Sequence, residues 1–353
     1  MKNTTGTSKS IQIEDPQNAM TETIKRAREE QDDREKKKLI LQISKYNSRI
    51  DKIKSGKVLS RQTKRDLIAY SFIAPNFIGF CVFTLIPIVF AFALAFMKWD
   101  GSNPISFEGF NNFKRLGGDT FFKAALKNTI IYCVGTVPLT MVASLALAII
   151  LNQKVIGRGI FRTLAFFPYV ASLVAITTVW KLLFHPSKGP VNNILYTFFH
   201  VDQENLPQWF SGGLCVVSMI LFSVWKYMGY YMVIYLAGLQ GIPGELYEAA
   251  SLDGAGTWNK FRYITWPQLS STTFFVVVML TINCFKIYDI AVMLAGGGSG
   301  ELTVSATVLV YYIYQKAFID WDLGYSSAVA MVLFLMVLVV TLIQFRGQAK
   351  KEA

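Results

Sequence analysis

Residues 67–97 read LIAYSFIAPNFIGFCVFTLIPIVFAFALAFM, 31 consecutive positions without an Asp, Glu, Lys or Arg. About 20 residues of helix cross the hydrocarbon of a bilayer, so this run alone points to a membrane protein. Working outward, 128–153 and 323–345 are free of charge for 26 and 23 positions. Of all 353 residues, 52% are apolar and only 16% charged, where a soluble globular surface calls for about 25%. A water-soluble enzyme, a nucleic-acid-binding domain and a disordered protein are excluded by that distribution. The expected fold class is an all-α membrane protein with six transmembrane helices, over roughly 67–97, 124–151, 161–184, 213–239, 272–295 and 325–345. The uncharged stretch 302–315 is too short to span and reads as an interfacial or re-entrant helix, as does 191–199.

The net charge of +12 is unevenly placed. Residues 1–66 hold 17 Lys and Arg against 10 Asp and Glu, and no aromatic-interleaved basic patch accompanies them, so a nucleic-acid partner is not implied. Basic residues beside a membrane span report topology instead. Arg61, Lys64 and Arg65, then Lys154, Arg158 and Arg162, then Arg346, Lys350 and Lys351 mark one side. The 185–211 loop, with Lys188 against Asp202 and Glu204, marks the other. The 98–123 loop, with four cations, is an exception outweighed by the rest. The reading is a multi-pass protein of the cell membrane with both termini cytoplasmic, which places the 240–268 loop inside. The expected organisation is a basic cytoplasmic tail over 1–66, a six-helix transmembrane domain over 67–346 and a short cytoplasmic tail over 347–353. Within the first tail, residues 1–20 read as disordered. Leu39, Ile43, Tyr46, Ile50 and Ile53 form one apolar seam of an amphipathic helix near 38–55. It suits the inner leaflet, membrane lipid being the partner, or the protein's own cytoplasmic face.

No catalytic constellation converges. Cys81, Cys133, Cys215 and Cys284 sit in apolar runs without close pairing and read as buried small hydrophobes, not disulfides or a metal site. His185 and His200 are isolated. Gly296–Gly300 is followed by Glu301, without the Gly-Lys-Ser/Thr of a phosphate-binding loop, and reads as a flexible turn. Any ATP must therefore be split by another chain.

The informative loop is 241–267, GIPGELYEAASLDGAGTWNKFRYITWP. Pro243 with Glu245 and Glu248 suits a helix start, where negative charge meets the positive end of the dipole. Gly254 breaks that helix, a second short helix follows, and Pro267 closes the unit. Glu248-Ala249-Ala250, then Gly254, then Ile264 and Pro267 resemble the EAA loop of ABC importer permeases. More narrowly, the chain resembles carbohydrate permeases of the maltose and glycerol-3-phosphate type, over about 67–346. The segments 162–169 and 179–181 and the glycine run support the likeness; Trp266 stands where a Leu is usual.

The resemblance implies the type I ABC importer permease fold and a non-catalytic translocation subunit. It implies a second, homologous permease as heterodimer partner, two ABC ATPase subunits and an extracellular solute-binding protein. No cofactor is expected on this chain, ATP and Mg belonging to the ATPase. Glu248, Ala249, Ala250, Asp253, Gly254, Ile264 and Pro267 would couple to that ATPase, although Glu248 also reads simply as a helix N-terminal charge. By alignment to the family, the substrate would meet Ser223, Lys226, Tyr227 and Tyr230 in the fourth span and Leu280, Asn283, Cys284 and Ile287 in the fifth. Leu280 and Ile287 equally suit packing. Lys286 and Asp289, three apart, read as an intramembrane ion pair or a ligand contact. Lys226 has no local partner, leaving room for an anionic solute such as a glycerol phosphate or a uronate-bearing sugar, but a neutral oligosaccharide is favoured. A secondary transporter would leave the EAA loop without a purpose, and a membrane-embedded enzyme would lack catalytic groups.

Overall fold

The structure is a computed structural model that describes residues 20–25, 33–54, 61–153, 156–296 and 303–352. The expectations for residues 1–19, for Lys154, for Glu301 and for the glycines at 297–300 lie outside the described residues. Contacts divide the chain into two compact units, 1–87 and 88–353.

In the first unit, α1 (Asp33–Lys54) carries the apolar seam: Leu39, Ile43, Tyr46 and Ile50 are half-buried, and every other residue from 36 to 51 is exposed. Next comes α2 (Arg61–Phe80), followed by a π-helical turn, Cys81–Leu85, and α3 (Ile86–Leu94). Pro87 lacks an N–H and crowds the carbonyl four residues back, which is where the wider π turn sits. The apolar stretch Ile68–Leu94 is long enough to cross a membrane.

The second unit begins within α3 and continues into a hairpin of two-residue strands. β1 (Met97–Lys98) pairs antiparallel with β2 (Ser106–Phe107), Met97 opposite Phe107. The turn is held by Asp100, which accepts from the Asn103 N–H, the Asn103 side-chain amide and the Ser102 N–H, and whose carboxyl is thereby lowered to about 2. After α4 (Asn111–Gly118), Asp119 caps the long α5 (Thr120–Asn152), accepting from Phe121 and Phe122 N–H. Its other oxygen accepts from Tyr312 and Tyr325 hydroxyls, while Arg115 pairs with Asp322 at 2.8 Å and lies over the Tyr325 ring. Burial pushes the Asp119 carboxyl up, but these hydrogen bonds prevail and hold it below its ordinary value. The cluster ties the 98–123 loop to α15 (Leu309–Tyr314) and α16 (Leu323–Glu352), which lie further along the chain.

The third expected span is not one helix. It is α6 (Arg158–Val170) and α7 (Leu173–Leu183), bent by 96°. Pro168 denies the last turn of α6 a hydrogen bond, and Ala171 is extended, so the chain turns there. α8 (Pro190–Phe199) follows the third span, and α9 (Cys215–Gln240) is the fourth span, packed along α5. The loop helices α10 (Gly244–Leu252) and α11 (Thr257–Lys260) lead through a π turn, Phe261–Thr265, to α12 (Trp266–Gln268). Here too the π turn ends two residues before a proline, Pro267.

The fifth expected span is also interrupted. α13 (Ser270–Phe285) stops, and α14 (Asp289–Ala295) restarts after three non-helical residues. α15 is short and its Leu309 and Tyr312 are buried, so of the expected 302–315 helix this part packs inside the protein. Among the described residues, four helical stretches are long and apolar enough to cross a membrane, or six if the two bent pairs, α6 with α7 and 257–268 with α13 (66°), each count as one span.

Candidate functional site

The break in the third span brings a lysine and backbone carbonyls together within an otherwise apolar span. A helix that ends inside a membrane leaves carbonyls without partners, and only neighbouring protein can satisfy them. Lys226, on α9, does so: its Nζ donates to the Pro168 and Tyr169 carbonyls at 3.3 and 3.2 Å. Lys226 was expected to have no local partner, and the partners it has are distant in the sequence. Its partners lie almost 60 residues away, beyond any local pattern. α6 can come this close because of Gly229, where a Cβ would stand 1.8 Å from the Ala165 carbonyl oxygen. Lys181, on α7, has the matching role at the end of α14, donating to the Gly296 carbonyl at 3.3 Å.

Beside this junction the aromatic rings gather. Tyr169 stacks on Tyr230 with centroids 4.4 Å apart and planes at 20°, and lies 6.2 Å from Tyr227. Tyr230 meets Tyr231 edge-on at 5.0 Å, and Asn283 Nδ2 donates to the Tyr231 hydroxyl at 3.3 Å. Thus Tyr227, Tyr230 and Asn283, expected from the sequence, come together with accessible surface, Asn283 being exposed and the two tyrosines half-buried. Tyr169 and Gly229 were not expected; Pro168, one residue before Tyr169 in an apolar helix, was the available signal.

The other expected substrate residues face inward. Ser223 is wholly buried and accepts from the Tyr132 hydroxyl at 2.7 Å. Leu280 lies in the packing around Tyr231 and Tyr235, while Cys284 and Ile287 lie in that around Phe222 and Phe285. Lys286 and Asp289 form no ion pair: among the described residues the salt bridges are Arg115–Asp322 and Lys316–Asp320. Three-residue spacing brings side chains together only on a continuous helix, and the helix is interrupted between these two.

The 241–267 segment forms two short helices at a sharp turn. Glu245 is in the first turn of α10, after Pro243. Gly254 has φ +75°, and the Ala255 N–H donates to the Ala250 carbonyl at 2.8 Å, the left-handed closure that glycine permits. Lys260 Nζ donates to Ser251 Oγ at 2.7 Å, and the Tyr247 and Thr265 hydroxyls are 2.9 Å apart, locking the two helices together. Glu248, Ala249, Asp253, Gly254 and Pro267 are exposed, whereas Ala250 and Ile264 are half-buried. Leu252, Trp258 and Tyr263, absent from the expected set, are also exposed, at 90%, 68% and 71%. All three open apolar side chains sit in this one short loop segment.

Comparison with known proteins follows the same lines. Residues 141–348 match the family described as "Binding-protein-dependent transport system inner membrane component". The probable ABC transporter permease protein YesP of Bacillus subtilis is 37% identical, over 81% of this chain and 92% of its own. The arabinooligosaccharides transport system permease protein AraP of the same organism is 33% identical, over 80% and 90%. A solved bacterial ABC transporter involved in import of the acidic polysaccharide alginate superposes with a TM-score of 0.71, covering 82% of this chain and 98% of that one. At 23% identity, that likeness concerns the fold.

Proposed function

The chain belongs to the family of inner-membrane components of binding-protein-dependent transport systems, the ABC transporter permeases, and from that premise we propose that it conducts a neutral oligosaccharide in an ATP-driven importer. Family members are translocation subunits, not catalysts. In the proposed assembly a second, homologous permease completes the pathway and an extracellular binding protein delivers the solute. Two ATPase subunits hold ATP and Mg on the cytoplasmic side, where both termini of this chain lie. Closure of the ATPase pair pushes the 241–267 knob and reorients the helices by alternating access. The exposed Glu248, Ala249 and Gly254, with Leu252 and Trp258 beside them, suit seating in a cleft of the ATPase.

The observation that carries the sugar reading is the tyrosine group at the break of the third span. Ring faces of Tyr169, Tyr227 and Tyr230 suit the apolar faces of sugars, and Asn283 can donate to and accept from hydroxyls. Two backbone carbonyls already hold the Lys226 ammonium in place, so the proposed solute contacts rest on the rings and the amide. The relative AraP, named for arabinooligosaccharides, is in keeping with this.

The test is uptake by Tyr230→Ala and Asn283→Ala variants, measured alongside ATPase activity stimulated by the loaded binding protein. Losing the ring contact is expected to lower uptake about three- to tenfold, the range for an aromatic pair, with stimulation retained. Full uptake in both variants would place the solute path elsewhere.

A further inference from the structure

The amphipathic helix α1 lies outside the matched family region. We propose that it is a lipid-binding element that lies on the anionic phospholipid headgroups of the leaflet where the first span begins.

Three observations converge. First, the helix has two distinct stripes. Leu39, Ile43, Tyr46 and Ile50 line one, and Lys38, Lys45 and Arg49 form a second immediately beside it, all three exposed. Long basic side chains flanking an apolar stripe can reach headgroups while the stripe enters the acyl boundary. Second, the 22 residues of α1 carry eight Lys and Arg against three Asp and Glu, a charge complementary to an anionic leaflet. Third, the tether is short. Only residues 55–60 separate α1 from α2, a reach of at most about 25 Å, and the apolar span starts at Ile68. A helix held that near a surface meets it at high effective concentration, so even modest affinity suffices.

The experiment uses the full-length protein in nanodiscs, with Cys81→Ala as background because the remaining cysteines are buried. An environment-sensitive fluorophore is placed at Ile43→Cys on the seam or at Ser48→Cys on the opposite face, and the lipid chains carry a quencher. In phosphatidylglycerol-containing discs the label at 43 is expected to be quenched and the one at 48 spared. Discs of phosphatidylcholine alone should lose most of this quenching. The triple change Lys38→Gln, Lys45→Gln, Arg49→Gln keeps good helix formers and should weaken lipid engagement on the order of a hundredfold. Quenching at 43 that ignores both lipid charge and the triple change would overturn the proposal. So would a shielded but unquenched label, which would mean that the seam packs on protein, or a label open to water in every disc.

Discussion

Gly229→Ala is the most exacting perturbation of the junction between α6 and α9. The added methyl would stand 1.8 Å from the Ala165 carbonyl oxygen, 2.5 Å from its carbon and 2.9 Å from Phe166 Cα. Ordinary contact begins near 3.4 Å, so the helices must part by about 1.6 Å. All three neighbours are backbone atoms and cannot swing aside as a side chain would. Overpacking of this kind costs about 1–3 kcal/mol, and the rigid neighbours put this case at the upper end. The same movement would stretch the Lys226 hydrogen bonds, now 3.2 and 3.3 Å, past any useful length. It would also open the Tyr169–Tyr230 stack. The assay is thermal melting of the purified protein together with solute uptake in vesicles. Both should fall. Lys226→Met should then cost less in the Gly229→Ala background than alone, because both changes break one contact. Unchanged melting and uptake in Gly229→Ala, or strict additivity of the pair, would refute the argument that glycine and lysine jointly hold this junction.

At Gly254 no atom lies within 4 Å of the missing Cβ, so a substitution there is opposed by the positive φ and not by crowding. Gly254→Val should cost about 1–2 kcal/mol of local backbone strain and uncouple uptake from ATP hydrolysis, as should Glu248→Lys, while Gly254→Asn stays near wild type; unaffected uptake with normal membrane abundance would sink the coupling role. Lys226→Arg should retain most uptake and Lys226→Met should lose it, which uptake kinetics will separate from a substrate-charge role if the apparent affinity for a neutral sugar is unchanged. Asp119 has a folded pKa below its ordinary 3.8, so the stability it contributes is present above that value and is lost as pH falls through the lower folded pKa. Asp119→Asn should therefore melt lower near neutral pH and lose less on acidification, as a pH series of melting curves will show.

The spans were legible because lipid forbids charge: an uncharged run such as 67–97 has few other readings. The turn at Gly254 was legible for a similar reason, since its requirement is local. What sequence spacing could not reveal were the interruptions: the third span stays uncharged through its break, and in the fifth Lys286 and Asp289 have the spacing of a pair on one continuous helix. The expected Lys286–Asp289 pair failed for that reason, the helix having ended at Phe285. Ser223 and Cys284 share a helical face with the tyrosines or with Asn283, but helical spacing does not say which part of that face is already filled by Tyr132 or Phe222.

Each break also explains a charge. Ending α6 and α14 within the protein leaves carbonyls that must be met, and Lys226 and Lys181 meet them. A membrane-buried lysine is ordinarily a candidate for ligand binding, and here backbone carbonyls take two of the three N–H donors of Lys226 and one of those of Lys181. Beside Lys226 stand ring faces, phenolic hydroxyls and the amide of Asn283. Groups of that kind suit a polyhydroxylated ring, met on its apolar face and at its edge. The breaks that escaped sequence reading are thus what fix where both lysines stand.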